Sequence, residues 1–287
     1  MKKNVLITFF LLLCIPIFAQ KKDTLKLSVV EIREKQYVWM NGLRVSRIEM
    51  SALQKNDQAT LAEVLQTNTP VFIKSYGQGG LSTVSLRGAG ASHTQVLWNG
   101  LRINSPMLGQ VDLSQQPVFF IDEITLVHGA SDMAYGTATA GGSLLMKNKP
   151  DWSLPLRVQV SAGGGSFSAL NGSALVRVTQ DQTQFCTRIQ HTLAENNFTY
   201  HDNSVTKPWP LKTRTDAAFS QTSLMQEIYT NLSSNKQLSF QLWGEQQNRE
   251  IPSSLLVTQP EGNESQTTSF LRSVLQFKNS TGKGMLT

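Results

Sequence analysis

The most regular pattern in the chain is an alternation of apolar and polar residues that begins after Trp152. It comes in stretches of about ten residues separated by turn residues, which is the spacing of barrel strands. Because successive side chains of a strand point to opposite faces, each stretch predicts a strand with one apolar and one polar face. We expect about six such strands, from an outer-membrane barrel, a soluble β-sandwich or a solenoid. The clearest segments are 156–160, 185–193, 224–232, 238–242 and 271–277.

Residues 37–150 show a different pattern, that of a compact α+β domain. Thr60 is followed three residues later by Glu63, a capping box that predicts the start of a helix with an apolar stripe over 61–65. Thr69-Pro70 ends this helix, because a residue before proline avoids the helical conformation. Short strands, each bounded by Gly, Asn or Pro, are predicted at 71–74, 83–87, 95–98, 123–127 and 143–146.

The first residues have the pattern of an export signal. A basic pair precedes an apolar stretch over 5–18, and Ala19 supplies a small residue before the cleavage site. The stretch is interrupted by Pro16 and is shorter than the roughly 20 residues of a membrane helix. We therefore predict a signal peptide over 1–19, with Cys14 as part of its apolar stretch. No second long apolar segment follows, so insertion into a membrane would require a closed barrel.

Residues 20–36 form a short charged segment around an extended centre. Leu25, Leu27 and Val29 alternate with other residues, and the β-branched side chains at its end favour a strand. The adjacent sequence supplies no hairpin partner, so this strand is expected to pair elsewhere.

The composition excludes several classes of function. The net charge is +6 without a block of like charges, which argues against nucleic-acid binding. Outside the predicted signal, Cys186 is the only cysteine, so neither an intrachain disulfide nor a cysteine-based metal site can form. His93, His128, His191 and His201 form no close-spaced metal pair. We therefore predict no metal and no cofactor.

Motifs for catalysis are also missing. Gly88 and Gly90 lack the third glycine of a dinucleotide loop, and no Gly-Lys-Ser/Thr marks a P-loop. The sequence around Ser131 lacks the second glycine of a nucleophile elbow. Asp122 and Glu123 are adjacent, and adjacent strand residues point to opposite faces, so they cannot flank one bond. We predict that the protein is not an enzyme.

Two stretches resemble a known family. Residues 84–104 contain a strand that ends in Arg-Gly, a loop, a second strand, then Asn-Gly and a further Asn. Residues 112–142 run from Asp-Leu-Ser-Gln-Gln-Pro through Ile-Asp-Glu-Ile-Thr-Leu-Val to Ala-Gly-Gly. In this order they resemble the two plug-domain signatures of TonB-dependent outer-membrane receptors. The Arg-Gly-x-x-Ala-Ser-His and Asp-Leu-Ser-Gln-x-Pro segments are most similar to those of vitamin B12 receptors.

The resemblance implies a chain in four parts: a signal peptide (1–19), a periplasmic segment (20–36), an α+β plug domain (37–150) and the first antiparallel strands of a transmembrane β-barrel (151–287). Barrels of this family have about 22 strands, so we expect a fragment or a truncated reading frame. The implied function is active uptake of a scarce ligand across the outer membrane of a Gram-negative bacterium. The alternatives are a passive or protein-secreting outer-membrane channel and a secreted β-rich adhesin.

The resemblance also assigns sites. The strand at 25–31 occupies the position of the TonB box, which pairs with a TonB-type energy transducer by strand addition; the alternative is an ordinary N-terminal plug strand. This box comprises Leu25, Lys26, Leu27, Ser28, Val29, Val30 and Glu31. Two plug loops, at 75–80 and 104–110, would face the outside and bind a corrinoid such as cobalamin, a siderophore, haem or a glycan. Their predicted ligand-binding residues are Ser75, Tyr76, Gly77, Gln78, Gly79, Gly80, Asn104, Ser105, Met107, Leu108, Gly109 and Gln110. Outer-membrane lipid would contact the barrel.

Two positions depart from the family pattern. His128-Gly129-Ala130 stands where the family usually has Arg-Gly-Pro, and the change removes a charge that would pair within the plug or with the barrel wall. Asn99-Gly100 replaces the common Asp-Gly and keeps its turn chemistry. We expect Arg87-Gly88 and Asn99-Gly100 to end neighbouring strands.

Overall fold

A computed structural model of the protein describes residues 44–48, 50–77, 79–129, 141–203, 207–251, 264–281 and 284–286. All of them belong to one compact unit, Glu34–Thr287. Within these ranges, no helix combines the length and the apolar character needed to cross a membrane.

The first half of the described chain is an α+β domain built on a five-stranded sheet, here called the central sheet. Its strands lie in the order β1-β6-β7-β4-β5, and β4 and β7 are parallel while the other neighbours are antiparallel. The strands are β1 (Arg44–Ile48), β4 (Thr94–Trp98), β5 (Leu101–Arg102), β6 (Glu123–His128) and β7 (Gly142–Lys147). The remaining elements are α1 (Met50–Lys55), α2 (Leu61–Asn68) and the antiparallel pair β2 (Phe72–Ser75) and β3 (Ser82–Ser85).

The capping box predicted for α2 is confirmed. Thr60 Oγ1 accepts a hydrogen bond from the Glu63 amide, and Glu63 Oε2 accepts one from the Thr60 amide at 2.7 Å. The apolar stripe over 61–65 is buried in the core, and the helix ends at Asn68, directly before Thr69-Pro70. The helix thus begins and ends where its local sequence dictates.

The five strands predicted for this domain are all present, with ends shifted by one or two residues. The prediction that Arg87-Gly88 and Asn99-Gly100 end neighbouring strands is wrong. Arg87-Gly88 follows β3, which pairs only with β2, whereas Asn99-Gly100 follows β4 of the central sheet. The reason is a short 3-10 turn at Ala91–His93, after which the chain enters the other sheet alongside β7.

The second half of the chain is a seven-stranded antiparallel sheet, here called the wall, with the order β16-β15-β14-β13-β10-β9-β8. Its strands are β8 (Leu156–Gly165), β9 (Ala169–Gln180), β10 (Thr183–Ala194), β13 (Phe219–Ser233), β14 (Lys236–Ile251), β15 (Glu264–Thr281) and β16 (Gly284–Leu286). A separate hairpin, β11 (Thr199–His201) and β12 (Leu211–Thr213), lies between β10 and β13 in the chain. About six strands were predicted after Trp152, whereas the described residues hold nine, seven in the wall and two in the hairpin. The predicted segments do not include β9, β16 or the two hairpin strands.

The two faces of the wall divide as the alternation predicts. Apolar side chains such as Val160 (74 % exposed) and Leu275 (70 % exposed) point outward, whereas Gln184 and Glu227 are fully buried on the inner face. The inner face packs on the α+β domain, because wall residues such as Trp243 belong to the same buried core as that domain's residues. An outward apolar face and a polar, protein-covered inner face are the arrangement of a membrane barrel wall.

The connections at the two ends of the wall differ in length. At one end, called the turn end, residues 181–182 and 234–235 join their strands directly. At the other, called the loop end, the chain makes the connections 166–168 and 195–218, and the longer one carries the β11–β12 hairpin.

Candidate functional site

The predicted ligand-binding loop at 75–80 lies at the loop end of the wall. Gly79 adopts a positive φ of 73° and approaches Phe219, the first residue of β13, so closely that an added Cβ would lie 2.5 Å from Phe219 Cδ1. The side chain of Tyr76 is 63 % exposed. Gln78 lies outside the described residues. The loop is therefore packed against the wall on one side and open on the other.

The second predicted loop, 104–110, is organised by the buried side chain of Asn104. Its Oδ1 accepts a hydrogen bond from the Val96 amide at 2.8 Å, and its Nδ2 donates to the carbonyl oxygens of Thr94 and Gly109. This frame presents two apolar side chains to solvent, Met107 at 93 % and Leu108 at 67 % exposure. Asn104 thus holds the loop in shape, whereas Met107 and Leu108 at the tip of the loop are available for contact.

The loop at 104–110 also lies towards the loop end of the wall. Asp112 lies two residues after it and accepts a hydrogen bond from Arg249, near that end of β14, at 3.3 Å. Asp112 Oδ1 accepts a further bond from the Ser82 amide, which ties the two loop regions together. Both predicted loops are therefore found at one end of the molecule.

A cavity of about 520 Å³ lies between α2, the first loop and the loop end of the wall. Ser75, Gly77 and Gly79 line it, as do the glycines 163–165 that end β8, whereas the loop at 104–110 contributes nothing to its lining. Its wall side presents amide and hydroxyl groups, from Asn171, Gln190, Thr192 and Gln221. The described lining contains one charged residue, Glu63, whose carboxylate is already bound by the capping box.

Sequence reasoning missed a buried ionic cluster where the α+β domain meets the inner face of the wall. Arg188 on β10 donates from Nη2 to both carboxylate oxygens of Asp122, at 2.7 and 2.9 Å, and from Nε to Glu227 at 3.0 Å. Its Nη1 donates to the carbonyl oxygen of Phe119 at 2.9 Å. Tyr229 donates its hydroxyl to the other oxygen of Glu227 at 3.0 Å. Nε, Nη1 and Nη2 of Arg188 therefore each have a hydrogen-bond partner.

Burial opposes the ionisation of Asp122, but the adjacent Arg188 guanidinium outweighs it and holds the pKa of that carboxyl below its usual value. Its neighbour Glu123 points the other way and pairs with Lys149 at the surface. The expectation that Asp122 and Glu123 face opposite sides is confirmed. The signal that could have revealed the cluster is an arginine on the polar, inward face of a predicted barrel strand.

Aromatic rings reinforce the same boundary. Trp243 of β14 stacks on Phe120 at 5.8 Å between centroids and meets the edge of Trp98 at 5.4 Å. Phe270 of β15 packs edge-on against Trp243 at 5.5 Å. Asn148 accepts a hydrogen bond from Trp98 Nε1 at 2.8 Å, so the buried indole is satisfied.

The contacts near the loop end of the wall are of a different kind. Asp57 accepts hydrogen bonds from Gln159 at 3.1 Å and from Ser161 at 2.8 Å, both on β8. Gln221 donates to the carbonyl oxygen of Gln115 at 3.0 Å. These bonds are polar and partly exposed, whereas the aromatic contacts and the Arg188 cluster lie near the middle of the wall strands.

His128, where the resemblance implied an arginine, contacts the central sheet rather than the wall. Its Nε2 lies 2.9 Å from Ser46 Oγ on β1. Burial, together with Arg44 and Arg87, lowers the pKa of His128, so the ring is neutral at neutral pH. The predicted TonB box at 25–31 lies outside the described residues.

Comparisons with known proteins relate the first half of the chain to a known domain family. Residues 41–143 match the family model of the TonB-dependent receptor plug domain. The chain is 33 % identical over 183 residues to the vitamin B12 transporter BtuB of Photobacterium profundum, covering 60 % of this chain and 29 % of that protein. It is 30 % identical over 132 residues to the BtuB of Vibrio vulnificus, covering 42 % of this chain and 22 % of that protein. The chain therefore spans less than a third of the curated relatives it matches.

The fold is shared with solved outer-membrane receptors. The siderophore receptor PirA of Acinetobacter baumannii superposes with a TM-score of 0.64 at 16 % identity, covering 86 % of this chain and 39 % of that one. The ferric enterobactin receptor PfeA of Pseudomonas aeruginosa gives a TM-score of 0.62 at 15 % identity, covering 84 % and 39 %.

An α+β plug seated on the inner face of an antiparallel wall defines a plugged outer-membrane barrel, here an incomplete one. Residues 41–143 therefore carry a plug domain of the TonB-dependent receptor type, and the chain resembles the TonB-dependent receptors of the Gram-negative outer membrane, the vitamin B12 transporters among them. These relatives are receptors and transporters rather than enzymes.

Proposed function

We propose that the receptor to which this chain belongs takes up a scarce ligand, a corrinoid or a metal chelate, actively into the periplasm. The observation that carries the proposal is the meeting of both predicted ligand loops at the loop end of the wall, one of them lining a cavity. Outer-membrane barrels have short periplasmic turns and longer extracellular loops, so the loop end faces the outside.

The two loops would contact different parts of the ligand. The loop at 75–80 forms one side of a cavity whose wall side presents amide and hydroxyl groups, which suits a ligand with hydrogen-bonding groups. The loop at 104–110 offers the apolar tip Met107–Leu108, which suits a flat or apolar ligand face. A ligand held between them would rest on the plug and block the lumen from above.

Transport then requires the plug to move, because its aromatic and ionic contacts fill the space behind the wall. We propose that a TonB-type transducer pairs with residues 25–31 and supplies this motion by pulling on the plug. A passive channel or a protein-secreting pore would not need a plug that fills the space behind the wall. The vitamin B12 transporters among the relatives favour a corrinoid as the ligand.

The test uses the full-length receptor in cells that lack other corrinoid and siderophore receptors. We expect saturable binding of radiolabelled cobalamin without energy, and accumulation in the periplasm only when the proton-motive force is intact. A ferric catecholate serves as the competing probe. Accumulation that persists after the proton-motive force is collapsed would show a passive channel and overturn the proposal.

A further inference from the structure

Arg188 of the wall is shared by two carboxylates that stand on opposite sides of the boundary between plug and wall. Asp122 belongs to the plug and Glu227 to β13 of the wall, the neighbour of β10. The Arg188 side chain is 2 % exposed and that of Glu227 is fully buried. Motion of the plug would therefore remove one of the two counter-charges and leave the other in place.

A buried guanidinium without a counter-charge is strongly unfavourable, because it loses its hydration without compensation. With Glu227 at 3.0 Å from Nε, Arg188 retains a charge-assisted bond when Asp122 leaves. Tyr229 donates to the second oxygen of Glu227 and holds it towards the arginine. Of the bonds that Arg188 makes, separation of the plug thus breaks only those to Asp122 and to the Phe119 carbonyl.

The neighbouring aromatic contacts do not provide the same control. Ring packing between Phe120 and Trp243 buries apolar surface in a preferred geometry, but it places no charge on either side of the boundary. The two bonds from Arg188 Nη2 to Asp122 are short and directional, so they fix the height of the plug on the wall.

We propose that Arg188 is a reversible latch: it positions the resting plug through Asp122, and Glu227 serves as the resident counter-ion that permits release and re-engagement. The latch itself is a property of the resting molecule. Only its role in release rests on the proposed function, since that role assumes that the plug moves during uptake.

Cys186 provides a reporter of the latch that is independent of transport. It is fully buried on the inner face of β10, two residues from Arg188, and opposite Glu227 in the strand register. Loosening the plug exposes this thiol. The rate of Cys186 modification by a maleimide, followed on its own peptide by mass spectrometry in outer membranes, therefore measures how firmly the plug is held.

We expect Asp122→Asn in the full-length receptor to raise the Cys186 labelling rate about tenfold, because two bonds to a charged group are weakened. The matched control is Glu123→Gln, which removes the adjacent carboxylate that pairs with Lys149 away from the wall, and it should leave the rate unchanged. Asp122→Glu, which keeps the charge but displaces it, should give an intermediate rate and serves where Asp122→Asn does not assemble. Equal rates in Asp122 and Glu123 variants would overturn the latch.

Glu227→Gln tests the counter-ion. Uptake is the readout for this variant, because Glu227 lies opposite Cys186 in the strand register and its replacement would alter the thiol directly. The resting bonds to Asp122 remain, so ligand binding should be retained while energised uptake falls about fivefold. Glu245→Gln is the control, because this buried wall carboxylate on β14 bonds Ser223 of the wall. An equal loss of uptake in Glu227→Gln and Glu245→Gln would show that Glu227 has only a structural role and would overturn its role as counter-ion. If no variant shows energised uptake but Asp122→Asn still labels faster, the proposed function fails and the latch stands.

Discussion

Gly79 of the plug and Phe219 of the wall are in contact that leaves no room for a side chain at residue 79. Gly77, two residues earlier, also has a positive φ, of 98°, but has no atom within 4 Å of its Cβ position. The two glycines therefore separate two effects of adding a methyl group: backbone strain, which both share, and a collision, which only Gly79 suffers.

Gly79→Ala is predicted to displace the ligand loop, whereas Gly77→Ala should only strain it, by about 1 kcal/mol. Phe219 cannot yield easily because it is itself 8 % exposed. We expect ligand binding by the full-length receptor to weaken about tenfold more in Gly79→Ala than in Gly77→Ala, equivalent to about 1.4 kcal/mol. Equal affinities in the two variants would show that this contact does not position the loop.

The exposed tips of the two loops are predicted to touch the ligand. Tyr76→Ala and Met107→Ala should each weaken equilibrium binding at least about fivefold, as truncation of an interface anchor does. Phe72→Ala is the control, because Phe72 on β2 is 67 % exposed, close to Tyr76 at 63 %, but lies outside both loops. If neither loop variant changes the affinity for cobalamin or for a ferric catecholate, the two loops are not part of the ligand-binding site.

The edge of the central sheet is predicted to loosen as the pH falls. The folded pKa of His128 is lowered, so its neutral form contributes stability that is complete above the unfolded value of about 6.5 and is lost as the pH falls towards the folded value. Amide exchange of Arg44–Ile48, corrected for its intrinsic rate, should therefore be faster at acidic pH than at neutral pH. His128→Gln removes the titrating group and should abolish this difference. A pH response that survives in His128→Gln would assign it to another group.

The local features of the fold could be predicted from the sequence because they depend on neighbouring residues. The capping box between Thr60 and Glu63 spans three residues, and the alternation of a wall strand is visible within any one strand. The missed strand β9 explains the limit: Gly172 and Ala174 occupy outward positions where the other strands carry larger apolar side chains, so its alternation is weak.

The contacts between plug and wall could not be predicted, because they join residues far apart in sequence. Arg188 and Asp122 are separated by 66 residues, and nothing local marks them as partners. The same is true of Gly79 and Phe219, where the loop was predicted but the wall residue beside it was not. Pairing across such distances depends on which strand of the wall each plug segment meets.

We predict that force from the periplasm, applied to residues 25–31, drives uptake. Strand addition relies on backbone groups, so Ser28→Ala should have little effect, whereas Leu27→Pro and Val29→Pro each remove a ladder donor and fix φ. Both proline variants should still bind ligand at the distant extracellular face.

The decisive measurement pairs equilibrium ligand binding with energised uptake in the full-length receptor carrying Leu27→Pro or Val29→Pro, beside Ser28→Ala. We expect both proline variants to bind cobalamin normally and to accumulate none above the level seen without a proton-motive force. Normal uptake by both proline variants would contradict this prediction, because residues 25–31 would then not be the segment through which the transducer acts.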